Sequence, residues 1–432
     1  MANKNLGSAS YVSNMLLTNS VLVEVGGSVR RIKLSDLMNA VNEGNEQLLR
    51  QVAWGVPLQP SGVSGTNWGR VGNLGMWEEY KRSGGRYLVT NDGRAAKLSN
   101  TYSGVYADGT TLDESKGHIM CIHPRLYFLV KRDAVSGNDY LWMSQLPIGG
   151  HYIEQSVTGA YMGSVVGGAL TSRSGLVPTG SRQITSFWSA AQANGKHWGL
   201  CDYNTYQKKI VMHGLSEYGD SNIQARLGNG VCGSENKDLW ATASQLKTGA
   251  TKSLGDGFGK ISISVVNGSN VGVNCSRVNL LGTEDPYGWF WHMLQGCYYG
   301  NSGNAAQTGK EVFIYEGNRM PTSSELANHP SGNYRQLTRL TTSNYINKLV
   351  LGEFFDIIPS QHGGGSTSGW ADYNYANDTG QLCLWGGSAY AGSDGGLVYS
   401  HSSYAFSYSS SSFGARLAYY GPITFVDGKD IA

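Results

Sequence analysis

"WGGSAYAGSDGGLVYSHSSYAFSYSSSSFGARL", residues 385–417, is built almost entirely from small residues and aromatic rings. Residues 388–413 within it hold ten Ser, four Tyr, three Gly, three Ala and two Phe, with one formal charge, Asp394. Lys, Glu, Gln, Met and Trp are all absent from that window. A flexible serine linker has no use for four tyrosines and two phenylalanines, and a core strand has no place for ten serines. Tyr with Ser and Gly is the composition of antibody paratopes. Tyr brings a large rigid face and a hydroxyl at low entropic cost, and Ser and Gly bring adaptable hydrogen bonds. The flanks "LCLWGG" and "FGARL" are more apolar, as scaffold strands are. The stretch therefore reads as a solvent-facing surface pinned at both ends by a core.

The rest of the chain supplies that core. Of 432 residues, 40% are hydrophobic and 11% aromatic, which is outside the disordered range and enough for two or three domains. Charged residues make up 15% and the formal net charge is +2, so neither nucleic acid nor an anionic membrane is expected as a partner. Sixty glycines against ten prolines point to many tight turns. No apolar run reaches the ~20 residues of a membrane span, so no membrane insertion is expected. The start of the chain has no basic stretch leading into an apolar one, so no signal peptide is expected. The six cysteines are scattered without a CxxC, which argues for reduced, buried thiols rather than a zinc ribbon.

Hydrophobic periodicity divides the chain. "VLVEVGGSVRRIKL" is a hairpin signal around Gly26-Gly27. "SDLMNAVNEG" and "NEQLLRQVAWG" each predict a short helix, the second capped by Asn45 with Leu48, Leu49 and Val52 as its stripe. Such helices are too short to stand alone. They dock either on sister chains or a larger particle, or on their own domain. Residues 1–55 are thus expected to form an attachment or oligomerisation arm, and 56–109 a β-rich connecting segment. An Asn-Asp-Gly turn in "RYLVTNDGRAAKL", two apolar runs joined by Ser-Gly-Asn-Asp after His118, and "GKISISVVNGSNVGVN" each predict a hairpin. "TSFWSAAQANG" predicts a helix capped by Thr185 or Ser186. "DYNTYQKKIVMHGLSEYG" predicts one from Asp202 to Gly219 with Tyr203, Tyr206, Ile210 and Tyr218 at helical spacing. The expected class is α+β, a few helices among many short antiparallel strands.

Chemistry-bearing motifs are missing. There is no HExxH, P-loop or GxSxG, and the nine histidines do not cluster at ligand spacing. "SQHGGGSTSG" at 360–369 is followed by "WADYNY" rather than a helix, so a flexible loop is expected there and not a phosphate cradle. No enzyme and no cofactor are expected. Glycosidase carboxylates need no local motif, so a glycan-degrading activity stays open as an alternative.

The pattern "LWGGS…G…GL…FGARL" resembles the variable region of diversity-generating retroelement target proteins. In that family adenines are randomised, often in Asn codons, and the resulting NNY codons encode none of Lys, Glu, Gln, Met or Trp. The stretch lacks the Asn that an undiversified template carries at such positions. Upstream, "DGTTLDESKGHIMCIHPRLYFLV", "LWMSQLPIGGHYIE", "AYMGSVVGG", "ITSFWSAAQANGKHWGLCDYNTYQKKIVMHGLSEYGDSN" and "DPYGWFWHMLQGCYYG" are similar, in this order, to elements of the C-type-lectin-type domain of phage tail receptor-binding proteins. The resemblance covers 110–432, with the variable surface at 385–417. It implies a C-type-lectin-type, formylglycine-generating-enzyme-like domain, and despite the fold name it does not imply calcium-dependent sugar binding. Formylglycine-generating enzymes use a close cysteine pair, whereas Cys297 and Cys383 stand alone in their segments.

What the resemblance implies about function is attachment. The partners would be a host cell-surface protein or glycan and other tail proteins. The chain would be a homotrimer on the virion, made in the host cytoplasm. A structural tail-tip role is the remaining alternative. The variable, ligand-binding positions would be Ala389, Tyr390, Ala391, Ser393, Asp394, Ser400, His401, Ser403, Tyr404, Ala405, Ser407, Tyr408, Ser410 and Ser412. Trp385, Gly386, Gly387, Gly396, Phe413, Gly414, Arg416 and Leu417 would be their frame.

Overall fold

Ser20–Val25 pairs antiparallel with Ser28–Lys33, Val25 opposite Ser28, so the first hairpin forms as its alternation predicts. The structure is a computed structural model that describes residues 20–25, 28–33, 36, 46–58, 69–133, 135–233, 239–266, 272–351, 353–367 and 369–431. The helix expected over 35–44 lies outside the described residues except for Asp36. The second short helix forms as α1 (Glu46–Val52), and Leu48, Leu49 and Val52 are buried. The chain then enters strand Trp54–Pro57, which pairs with Asp139–Ser144 at the centre of a five-stranded antiparallel sheet. α2 (Leu74–Ser83) packs Trp77 and Tyr80 against Trp54, with ring centroids 5.5 and 6.0 Å from it. Residues 46–57 therefore belong to the body. The expected arm boundary at 55 falls inside a buried strand, because the Leu48-Leu49-Val52 stripe is covered by the chain's own domain.

Two seven-stranded sheets organise the rest. The first runs, in spatial order, Trp198–Leu200, Leu417–Tyr419, Ser156–Gly159, His118–His123, Gly85–Val89, Arg94–Lys97, Thr424–Val426. Its members 85–97 lie upstream of residue 110 and pair with 118–122, so the expected boundary at 109/110 cuts through one continuous sheet. Backbone pairing across that point joins the two sides, and the segment 56–109 is no separate connector. The second sheet runs Ile358–His362, Asn344–Val350, Tyr373–Ala376, Ser400–Ser402, Leu384–Trp385, Trp291–Met293, Phe413–Gly414. Strand Ile358–His362 takes up the first residues of the expected glycine-rich loop, which begins only at Gly363.

The remaining hairpins form as read, at Gly85–Val89 with Arg94–Lys97, Leu126–Arg132 with Asp139–Ser144, and Gly259–Val266 with Gly272–Leu280. α3 (Ile184–Gln192) starts before the expected cap, with Gln183 at its N-cap. Burying Ile184 on the same face as Phe187 and Ala191 outweighs a hydroxyl cap at 185 or 186. The expected long helix is a π-helical turn, Tyr203–Gln207, running into α4 (Lys208–Tyr218). α4 stops at Gly219, which adopts φ 60°. Tyr203, Tyr206 and Ile210 are buried. The fold is mixed α+β, mostly sheet with few helices.

Candidate binding surface

The stretch quoted above is stitched into both seven-stranded sheets. Leu384–Trp385, Ser400–Ser402 and Phe413–Gly414 are strands of the second, and Leu417–Tyr419 is a strand of the first. Ser400–Ser402 is held between two neighbours, parallel to Tyr373–Ala376 and antiparallel to Leu384–Trp385. Every frame residue read from the sequence is buried. Gly387 adopts φ 79°, which disfavours a side chain. A Cβ on Gly396 would collide with Asp372 Oδ1 and the Gln224 amide nitrogen. Arg416 is fully buried and donates to the carbonyl oxygens of Gly159, Ala160, Glu284 and Asp285, tying the end of the stretch to two other segments.

Between these fixed points the predicted positions separate into two layers. Tyr390, Ala405, Ser407 and Tyr408 are exposed, and Ser393, Asp394, Ser403, Tyr404 and Ser410 are half-buried. Ala389, Ala391, Ser400, His401 and Ser412 are buried, which corrects the expectation that the whole set faces solvent. Each has a local reason. Ala389 packs with Trp289 and Phe290, and Ala391 closes a turn on Ser388. The Ser400 hydroxyl donates to Asn374 Oδ1 at 2.8 Å across the parallel strand pair. The Ser412 carbonyl accepts the Trp291 amide.

The outer layer is organised by rings. Tyr375, His401, Tyr404 and Tyr408 form one continuous stack, with successive centroids 4.7, 4.6 and 4.4 Å apart and interplanar angles of 26°, 14° and 19°. Each such contact is worth about 0.5–1.5 kcal/mol beyond area burial. Tyr375 and Tyr408, at the two ends, are 48% and 44% exposed. The hydroxyls of Tyr375, Tyr404 and Tyr408 make no hydrogen bond among the described residues, which leaves three phenols for an outside partner. Phe413 supports Tyr404 and Tyr408 from the frame, at 5.1 and 5.9 Å. Trp291 meets the His401 ring edge-on at 5.2 Å. Burial pushes the His401 imidazole down to about 3, so it stacks as a neutral ring, and its Nδ1 faces the Ser403 hydroxyl at 3.2 Å. Tyr375 lies outside the quoted stretch and escaped the sequence reading. Its only signal was an aromatic at every second position of the "DYNYA" strand.

The backbone carrying these rings is held tightly. The Tyr404 carbonyl accepts amides from both Gln381 and Leu382, and the Ser410 carbonyl accepts the Ser181 amide. Phe406 is driven inward as an anchor. No protein-family model matches the chain, and no curated protein matches it at a significant level. The site is therefore read from its own geometry.

A second patch lies on the same stretch. Tyr390, 45% exposed, stacks on Trp240 at 5.9 Å and 24°. Asp394 accepts a 2.5 Å hydrogen bond from the Tyr345 hydroxyl, whose ionisation is pushed up to about 12, chiefly by burial and then by that carboxylate. Beneath the frame, burial pushes the Cys297 thiol well up, with Cys383 as a further cause, and the Cys383 thiol accepts from Trp385 Nε1 at 2.9 Å. All six cysteines are free and buried. Among the described residues no three His, Cys, Asp or Glu side chains are placed to hold a metal ion, and no helix is long and apolar enough to cross a membrane.

Proposed function

We propose that the protein is a receptor-binding protein of a phage tail, displaying a diversified Ser/Tyr surface on a C-type-lectin-type scaffold. The observation that carries this reading is the Tyr375–His401–Tyr404–Tyr408 stack. It is a row of rings with unsatisfied hydroxyls, surrounded by exposed serines and mounted on a frame whose side chains are buried. That is the division of labour a diversified binder needs, with anchors and adaptable contacts outside and stability inside. The missing Lys, Glu, Gln, Met and Trp in 388–413 support the same reading. The partner would be a host surface protein or glycan, and display as a trimer would add avidity to weak single contacts.

The test is to sequence the coding locus across a population of the source. The reading expects a near-copy of the segment for residues 385–417 beside a reverse transcriptase, with substitutions confined to adenine positions of that copy. A single invariant copy without a template would overturn the diversification.

A further inference from the structure

A cleft of about 770 Å³ opens elsewhere on the molecule, with no residue in common with the ring stack. Its volume lies within the range typical of small-molecule sites, roughly 300–1,000 Å³. It forms where the strand ends near 150–158, 314–317, 333–335 and 418–421 converge on the π-helical turn that precedes α4. Such turns are costly interruptions of helical hydrogen bonding and concentrate at functional sites.

The charges around this cleft are largely paired within the protein. Asp356 accepts from Lys208 at 2.8 Å and from both guanidinium nitrogens of Arg335, at 2.5 and 2.9 Å. Glu154 is held by Arg125 at 2.7 Å, and His151 by Glu353 at 2.7 Å. The surplus positive charge of the Lys208–Asp356–Arg335 cluster faces Glu316, which also lines the cleft. Asp202 also lines the cleft, its carboxylate accepting from the Tyr420 hydroxyl at 3.4 Å, so the carboxylates of Glu154, Asp202 and Glu316 and the cations of Lys208 and Arg335 are mixed rather than grouped by sign. Beside these charged groups the lining offers hydroxyls and planar polar side chains. Tyr152 and Tyr334 are exposed at the rim, and their hydroxyls have no partner among the described residues. Asn204, inside the π-helical turn, donates its Nδ2 to the Tyr315 carbonyl at 3.2 Å and keeps its Oδ1 for a donor. Gln155 and Asn333 present amides.

We propose that this cleft binds a neutral oligosaccharide. Aromatic faces cover the C–H faces of sugar rings, and an acceptor-rich lining in which charges of both signs alternate is satisfied by a ligand that donates from many hydroxyls. A peptide, with one amide N–H per residue, satisfies fewer of these acceptors. The inference does not rest on the receptor-surface reading, since it uses a different site.

The test uses the full chain on an array of neutral tri- to hexasaccharides built from glucose, galactose, mannose, rhamnose and N-acetylglucosamine, with sialylated glycans, phosphorylated glycans and unstructured peptides as rivals. The expected result is retention of one or more neutral glycans. Tyr334→Ala and Tyr152→Ala, both at exposed positions, should each weaken binding tenfold or more, and Tyr102→Ala, exposed and outside both the cleft and the ring stack, should leave it unchanged. Three outcomes would overturn the proposal. They are no neutral glycan bound at about 1 mM, the weak end of useful affinity; retention of the acidic glycans or peptides alone; or neutral-glycan binding that both cleft variants leave intact.

Discussion

Two aromatic clusters in this protein use the same residue types to opposite ends. In the first, Trp54, Trp77 and Tyr80 pack with His213 beneath the five-stranded sheet, with Trp77 and Tyr80 stacked at 5.7 Å. The indole and phenol tips there are spent inside: Trp54 Nε1 donates to Ser216, Trp77 Nε1 to Glu217, and the Tyr80 hydroxyl bonds the His213 ring at 3.1 Å. In the second, Tyr375, His401, Tyr404 and Tyr408 stack as closely but leave their hydroxyls unspent and their end rings in water. The difference is the frame. The first cluster is enclosed by a helix and a sheet, whereas the second rests on Phe413 and Trp291 from one side only. Equal ring chemistry therefore yields an enclosed core in one place and, in the function proposed above, a binding surface in the other.

The comparison breaks most easily at its buried end. Trp77→Ala should cost about 3–5 kcal/mol of stability, because it empties the centre of an enclosed cluster. Chemical denaturation reads this, and a cost near zero would mean the first cluster is no keystone. Tyr404→Ala should do the reverse. Its main effect belongs in binding, about 2 kcal/mol or some thirtyfold in cell adsorption, with a native far-ultraviolet spectrum. Adsorption equal to the parent's in Tyr404→Ala, Tyr408→Ala and Tyr390→Ala alike would remove the surface assignment.

The histidines sharpen the contrast through pH. His401 has its folded-state ionisation pushed down to about 3, against about 6.5 in an unfolded chain. The unfolded state then binds the proton more readily, so the stability from His401 is complete above pH 6.5 and is lost as pH falls toward 3. The slope is about 1.4 kcal/mol per pH unit for one such group. His401→Phe keeps a stacking ring and removes the titration, so it should gain about 1–2 kcal/mol on the parent between pH 7 and pH 5, read from denaturant midpoints at both values. Identical pH slopes would show that the imidazole titrates in the stack as it does in the unfolded chain. His118, His123, His213 and His292 are shifted the same way by burial, so the parent should lose stability in acid even without this contribution. The smallest effect is expected at Ser407→Ala, within about 0.5 kcal/mol of the parent's stability and a few-fold in adsorption.

Local signals were legible in the sequence where the determinant was local. The Ser-Gly-Asn-Asp loop marked the hairpin ending at Ser144, and Gly219 marked the end of α4. Long-range pairing was not legible. Trp54–Pro57 meets Asp139–Ser144 across more than eighty residues, which is why the boundary expected at 55 was misplaced. Within the Ser/Tyr stretch, composition marked a surface but could not say which serines turn inward. Ser400 and Ser407 are chemically identical, and only the parallel pairing of Ser400 with Asn374 distinguishes them. The same pairing brought Tyr375 beside His401, an adjacency no local pattern contains.

The stitching of residues 384–419 through two sheets also bears on how the surface can be re-engineered. Each excursion, 386–399 and 403–412, starts and ends in a strand whose register is set by its neighbours. Adding or removing one residue would turn a strand's inward side chains outward or pull Arg416 off its four carbonyls. Exchanging one exposed side chain for another disturbs neither. A combinatorial library built on this scaffold should therefore vary residue identity at constant loop length and keep every glycine and aromatic of the frame in place.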